Sequence, residues 1–582
     1  MESWWDRHPD ALEAEEAGLD ALGYVWSKSE DEWRAGRLVI NVEIPHDQET
    51  LKLRAEYPAT FPYFPPHAFL GEQVFQRHQH LVGKNLCLLA REGLDWRPGI
   101  DTLAILLKEQ LPKIQATNAV GLPTSMVASQ EDHVGEPFSS FLPYAASCAI
   151  IVPDDTPPSE QSRGKLTLLI RPRQKAGNSP LLLNGILREI HDSTGRLLIN
   201  FPVKLPAFSE TVTGFWSRLP ERPSMHGDVH ATSIHFYNHM LTEVPEFKKA
   251  VRAAARGQIV VAGFVYSDEV EWQANSDDWF FLTAQILSPA KRSQDAAVRL
   301  NFIRADWGGE KALTQRAPAL RPLRNKSVLQ IGLGSLGSPV SLHLARAGLG
   351  QLHLVEYDEL QVGNTIRWAL GWQYVGFHKA HALAGYVAQE YPYTQVHPHH
   401  VRIGAPYPPN TPSDYQIIRE LAERTDLIID SAASHRVSHF LADLAKELGK
   451  PYLWLTTTHG AAGGVVGRIL PDRPRGGCWH CFQHGLADKS IRLPADTGPE
   501  EVQPGGCSQR TFIGAGIDSD EIALLAARLA VATLSRNEQS GYPDFAWDIA
   551  VADLTRNELS IAPDWTSYAS VKNSACRTCN SQ

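Results

Sequence analysis

Two cysteine pairs, a glycine loop and a short run of cations carry most of the chemistry open to this 582-residue chain. "GGCWHCF" sets Cys478 and Cys481 at C-x-x-C spacing, and "SACRTCN" repeats it at Cys576 and Cys579. Four soft thiolates suffice for a closed tetrahedral site, so a structural Zn²⁺ with no open ligand position is expected, joining two segments far apart in sequence. Three of the seven cysteines remain. Cys148, within "AASCAIIVP", reads as a buried apolar thiol. Cys87, in "HQHLVGKNLCLLA", and Cys507, in "EVQPGGCSQRTFIGAG", each follow a glycine turn and have no thiol near them in sequence.

Gly332, Gly334 and Gly337 form G-x-G-x-x-G between an apolar strand and a helix, where backbone N–H groups and the helix N-terminus receive a phosphate. Glu356 and Asp358 end the next strand, where a carboxylate can hold ribose hydroxyls. Alone, this pattern also fits NAD- or FAD-dependent dehydrogenases. The following residues, Asn364, Arg367 and Lys379, favour a different chemistry. Hydride transfer needs no cations there, whereas an enzyme that splits ATP must neutralise a triphosphate and its leaving pyrophosphate. Asp430 ends the strand "TDLIID", at the sheet edge where Mg²⁺ would be held.

These residues need a scaffold, and the chain reads as three parts: residues 1–120, 121–315 and 316–582. The first is expected to be a compact α+β unit. A helix at about residues 9–22 precedes alternating strands in "RLVINVEIP" and "TLKLRAEYP", a Pro- and aromatic-rich wall "YPATFPYFPPHAFL", and a helix "DTLAILLKEQL" with Asp101 as its N-cap. The second reads as a mixed α/β linker domain with strands such as "KLTLLIRP", "RLLINFPV" and "GQIVVAGFVY" and no chemical motif. The third opens with strand, glycine loop, helix and strand, the βαβ start of a parallel, Rossmann-like sheet.

Composition narrows the function classes. Hydrophobic content of 43% and charged content of 21% fit globular protein. A net charge of −10 disfavours binding to nucleic acid through bulk electrostatics. No apolar run reaches the roughly 18 residues of a membrane span, and the start lacks a signal-peptide pattern, so a cytoplasmic protein is expected. Disulfides are then not the expected use of the cysteines.

From Val328 to about Leu383 the sequence resembles the ThiF/MoeB/HesA adenylating fold shared with ubiquitin-activating enzymes. Glu356 is a conservative departure from the aspartate usual there. The resemblance implies that Glu356 binds ribose, that Asn364, Arg367 and Lys379 contact phosphates, and that Asp430 binds the metal. It also implies Cys507 as the acceptor of an activated carboxylate as a thioester, against a packing thiol in a tight turn. Residues 10–115 resemble the ubiquitin-conjugating fold through Tyr57-Pro58, Pro65-Pro66, the Gly83 turn, Cys87 and Trp96/Pro98. The family's His-Pro-Asn is replaced by Arg77-His78-Gln79, which leaves His78, His80 and Asn85 as candidate oxyanion partners.

A conjugating domain ahead of an activating domain looks like the bacterial fusions of CBASS anti-phage operons. The expected function is ATP-dependent activation of a protein C-terminus, thioester formation on Cys507, transfer to Cys87 and conjugation to a target amine. The activated protein would be a cGAS-like nucleotidyltransferase or a ubiquitin-like protein. A homodimer through the adenylation domain is implied, with Arg304 and Arg316 as candidate arginines lent across it. The alternative is a sulfur-carrier or ubiquitin-like adenylyltransferase whose first domain only recruits substrate.

Overall fold

The computed structural model describes residues 3–46, 49–72, 74–75, 77–88, 96–118, 137–172, 183–271, 274–291, 295–473, 476–497 and 512–580. The chain divides into two compact units, Met1–Phe201 with Glu210–Trp307, and Pro202–Ser209 with Gly308–Gln582.

The first unit begins with an antiparallel meander of β1 (Val25–Lys28), β2 (Val39–His46), β3 (Glu49–Glu56) and β4 (His67–Leu70). Its alternation is simple: Ile40, Val42 and Ile44 of β2 and Leu51, Leu53 and Ala55 of β3 are buried. Helices Pro9–Leu22 and Leu103–Thr117 pack on one another, and Leu19, Leu103, Leu106, Leu107 and Leu111 join the strands' core. The second helix is not capped by Asp101. Thr102, in extended conformation, accepts from Ile105 N at 3.3 Å, while Asp101 turns back to accept from the backbone and guanidinium of Arg97. An arginine four residues earlier outcompetes the capping role for that carboxylate.

The middle of the chain is more than a linker. Strands β5 (Tyr144–Val152), β6 (Arg163–Ile170), β7 (Asn184–Asp192), β8 (Leu197–Asn200), β9 (Glu210–Arg218), β10 (Ile259–Glu271), β11 (Ala274–Ser288) and β12 (Ala297–Trp307) run in the order β5-β12-β11-β10-β9-β6-β7-β8. A further β5–β7 pairing closes seven of them into a ring. Ile259, Val261, Val265, Trp279 and Phe281 belong to one core. The intervening Val260, Ala262, Phe264, Phe280 and Leu282 pack in another, with Phe236, Met240, Phe247 and Val251 of helices Val229–Glu243 and Pro245–Ala253. Cys148 is buried in the first of these, as its sequence context suggested.

In the second unit, β13 (Ser327–Ile331), β14 (Gln351–Val355), β15 (Gln395–His399), β16 (Leu427–Asp430), β17 (Tyr452–Thr457), β18 (Gly463–Ile469), β19 (Ile549–Arg556) and β20 (Leu559–Tyr568) form one sheet in the order β15-β14-β13-β16-β17-β18-β19-β20. The first five are parallel and the rest antiparallel. Helices Gly337–Arg346, Lys379–Glu390 and Gly516–Leu534 contribute to the core on one face, and Asp414–Glu423, His435–Leu448 and Trp479–Ala487 to that on the other. Strand order reverses between β13 and β16, and a doubly wound sheet opens its ligand crevice at the carboxyl ends of such a pair. Among the described residues no helix is long and apolar enough to cross a membrane.

Candidate functional site

The glycine loop leaves β13 at that reversal. Gly332 has φ 82°, and a Cβ there would lie 2.7 Å from the Ser431 carbonyl, so backbone conformation and crowding both demand glycine. A Cβ on Gly337 would collide with the Gly332 carbonyl. Gly334 differs, because its Cβ would meet nothing within 4 Å. Among the described residues no protein atom explains that glycine, whereas close approach of a ligand to the loop would.

Side chains from neighbouring segments hold the loop in shape. Glu356 accepts from Leu333 N at 2.8 Å, Tyr357 N at 2.8 Å and Asp358 N at 3.0 Å. Trp368 Nε1 donates to Leu333 O at 2.6 Å, and Ser431 Oγ donates to Gly332 O at 2.7 Å. Neither Trp368 nor Ser431 stands out in the sequence, although each adjoins a residue that does. Asn364 caps its own turn, its Oδ1 accepting from Gln361 N at 3.2 Å and its carbonyl from Arg367 N and Trp368 N.

The two cations differ in their surroundings. Lys379, 7% exposed, pairs with Asp358, and its N–H donates to the Asp358 carbonyl at 3.0 Å. Arg367 has no carboxylate or hydrogen-bond partner for its guanidinium among the described residues; the ring of Phe512 lies 5.6 Å from it. Burial lowers the pKa of this guanidinium, the cost of a half-buried charge without a counter-ion. An anionic ligand would supply one. Loop, cations and acidic strand end thus form one connected constellation, with Arg367 flanked by the loop-binding Trp368 and Lys379 reached through Asp358 and Glu356.

Asp430 lies at the carboxyl edge of β16, 3% exposed. Its oxygens accept from Ala432 N at 3.0 Å and Tyr452 OH at 2.8 Å, and burial raises its pKa. Each oxygen is thus engaged by one donor and keeps acceptor capacity for a further donor or a cation.

The four paired cysteines come together in the same unit. Their sulfurs lie within 4.8 Å of one another, with Cys478–Cys481 at 3.9 Å, Cys478–Cys576 at 3.7 Å and Cys481–Cys579 at 3.6 Å. A tetrahedral zinc with Zn–S bonds of roughly 2.3 Å requires sulfurs ~3.8 Å apart, so the set fits this metal. Burial pushes the Cys478 and Cys481 thiols up, so a cation is what would favour their thiolate forms.

In the first unit Cys87 is part-exposed, and its N–H donates to His78 O at 2.8 Å. Gln79, fully buried, accepts from Val74 N and Phe75 N at 2.9 Å and donates to Glu72 O at 2.8 Å. His80 Nδ1 accepts from Gly83 N at 2.8 Å and Val82 N at 3.2 Å, and its ring meets Phe141 edge-on. Burial, then the Lys84 charge, lowers the His80 pKa, so a neutral imidazole clamps this turn. Asn85 pairs with Phe69 in a short bridge. An Arg77–Glu269 ion pair joins the turn to β10. Arg304 pairs with Asp306 at 2.8 Å and Arg316 is exposed. Cys507 lies outside the described residues.

Residues 310–569 match the ThiF family, so the chain carries a ThiF-like domain. It is 26% identical over 594 residues to uncharacterized protein y4oA of Sinorhizobium fredii, covering 99% of this chain and 97% of that one. It is 28% identical over 195 residues to the adenylyltransferase and sulfurtransferase MOCS3 of Anopheles gambiae, covering 33% of this chain and 38% of that one. Among solved structures, that of E. coli MccB with ATP is similar at 16% identity and a TM-score of 0.33, covering 45% of this chain and 69% of that one.

Proposed function

We propose that this chain activates the C-terminal carboxylate of a protein with ATP and passes the acyl group through Cys507 and Cys87 to an amine. The observation that carries the first step is the open-faced Gly334 in a loop held by Trp368, with the adjoining Arg367 half-buried and lacking an anionic partner among the described residues, inside a ThiF-like domain. In that step a carboxylate oxygen attacks the α-phosphorus, the bond to the β-phosphate breaks, and pyrophosphate leaves. Arg367 and Lys379 stabilise the charge that develops on the phosphates, while Glu356, Asn364 and the loop amides orient the nucleotide.

The Cys507 thiolate then attacks the acyl carbon and AMP leaves. Cys507 stands five residues before Phe512, whose ring lies over Arg367, which supports a thiol close in sequence to the nucleotide crevice. Transfer to Cys87 forms a new C–S bond as the Cys507 thiolate departs. Attack by a target amine forms the amide, with loss of the Cys87 thiolate and of the amine proton. The part-exposed Cys87 on a clamped turn supports this role, and residues 1–120 are read as a ubiquitin-conjugating-like domain. Zn²⁺ held by Cys478, Cys481, Cys576 and Cys579 supplies structure and no chemistry.

The partner we assign is a cGAS-like nucleotidyltransferase or ubiquitin-like protein presenting its C-terminus, in a cytoplasmic anti-phage system, with the adenylating domain as a homodimer. A second reading has support in the name of the MOCS3 relative: a sulfur-carrier adenylyltransferase whose first domain recruits substrate. Exchange of labelled pyrophosphate into ATP tests the shared step. It should depend on a free C-terminal carboxylate on the added protein and vanish when that carboxylate is amidated; exchange indifferent to amidation would contradict the reading.

A further inference from the structure

Phe512 has no role in the reaction above, yet its placement is built with care. It stands immediately before Ile513, whose carbonyl accepts from Gly460 N at 2.8 Å, and the helix Gly516–Leu534 starts four residues after it. Two glycines shape the path between. A Cβ on Gly514 would lie 2.7 Å from Phe512 Cζ, 2.8 Å from Ala461 Cβ and 2.9 Å from Phe512 Cε1, so the ring and Ala461 together fill the space a side chain there would need. A Cβ on Gly516 would lie 2.8 Å from the Ile366 carbonyl and 3.0 Å from Arg367 Cα, so the chain presses directly on the arginine's backbone. The ring folded back by this arrangement faces the Arg367 guanidinium at 5.6 Å, within the roughly 6 Å reach of a cation–π contact.

We infer that Phe512 is a positioning residue that aims Arg367 at the nucleotide phosphates through the face of its ring. This rests on the reading of Arg367 as a phosphate contact. A carboxylate in that position would hold the arginine more firmly but would neutralise the charge the phosphates need. An aromatic face orients the guanidinium and leaves its donors to the ligand.

The probes are AMPPNP, which carries a triphosphate, and adenosine, which carries none, titrated against the full chain. Phe512→Leu should weaken AMPPNP binding about two- to tenfold, the size of a partly desolvated cation–π contact, and leave adenosine unchanged. Phe512→Tyr should restore it. The loss should disappear in an Arg367→Ala background, because the contact then has no cation to position. Equal weakening of both ligands, unchanged AMPPNP binding in Phe512→Leu, or a loss that adds in full to that of Arg367→Ala would each overturn the inference. Wild-type protein that binds neither ligand would instead overturn the nucleotide-site reading, and this inference with it.

Discussion

At the scale of single residues the three glycines of one motif have separable jobs. Gly337→Ala should destabilise the domain, because its methyl collides with the Gly332 carbonyl, and thermal denaturation would register the loss. Gly334→Ala should melt like wild type, since none of the described residues lies within 4 Å of the added methyl, yet bind AMPPNP at least about tenfold more weakly. Equal melting of both variants would contradict the assignment. Lys379→Ala should lower the rate of pyrophosphate exchange by roughly a hundredfold or more, the scale of losing one preorganised donor to a developing charge. The motif residues were legible because their types and spacing declare phosphate chemistry. Trp368, Ser431 and Phe512 were not, because their roles depend on contacts across the fold: an indole on the Leu333 carbonyl, a hydroxyl on Gly332, and a ring packed over a glycine.

Between elements, buried polar joints set the measurable behaviour. Glu15, on helix Pro9–Leu22, accepts from Tyr57 OH at 2.8 Å and from Leu103 N, the first residue of helix Leu103–Thr117, at 3.0 Å. Burial pushes its pKa from the ordinary 4.5 up to about 7. The folded state therefore holds a proton that the unfolded chain releases above pH 4.5. This contribution is fully present at lower pH, is lost as pH rises towards 7, and falls by about 3 kcal/mol in all. Urea midpoints of wild type and Glu15→Gln between pH 5 and 8 should diverge in slope, the variant losing this component; parallel slopes would contradict it. For the cysteine quartet, emission spectroscopy should find one zinc per chain, and Cys576→Ser should lose both metal and several degrees of melting temperature. The local elements were readable from pattern, as in β2, β3 and the helix Pro9–Leu22. The ring sheet of the middle region was not, since it closes through β5, which pairs with β12 and β7 from distant parts of the chain, and strands such as β10 are apolar on both faces.

For the molecule as a whole the proposed reaction joins two chemistries in one polypeptide: carboxylate activation in the ThiF-like domain and thiol transfer at Cys87. The middle region packs on the Cys87 turn, through Phe141 on His80 and Glu269 on Arg77. Order of transfer is the property that separates this account from independent thiols or a recruiting module. The most direct measurement is a non-reducing gel of the full chain with Mg·ATP and a cGAS-like nucleotidyltransferase bearing a free C-terminus, run on wild type, Cys87→Ala and Cys507→Ala. The account predicts a thiol-sensitive adduct that persists in Cys87→Ala and is absent from Cys507→Ala. An adduct at Cys87 that forms undiminished in Cys507→Ala would contradict it.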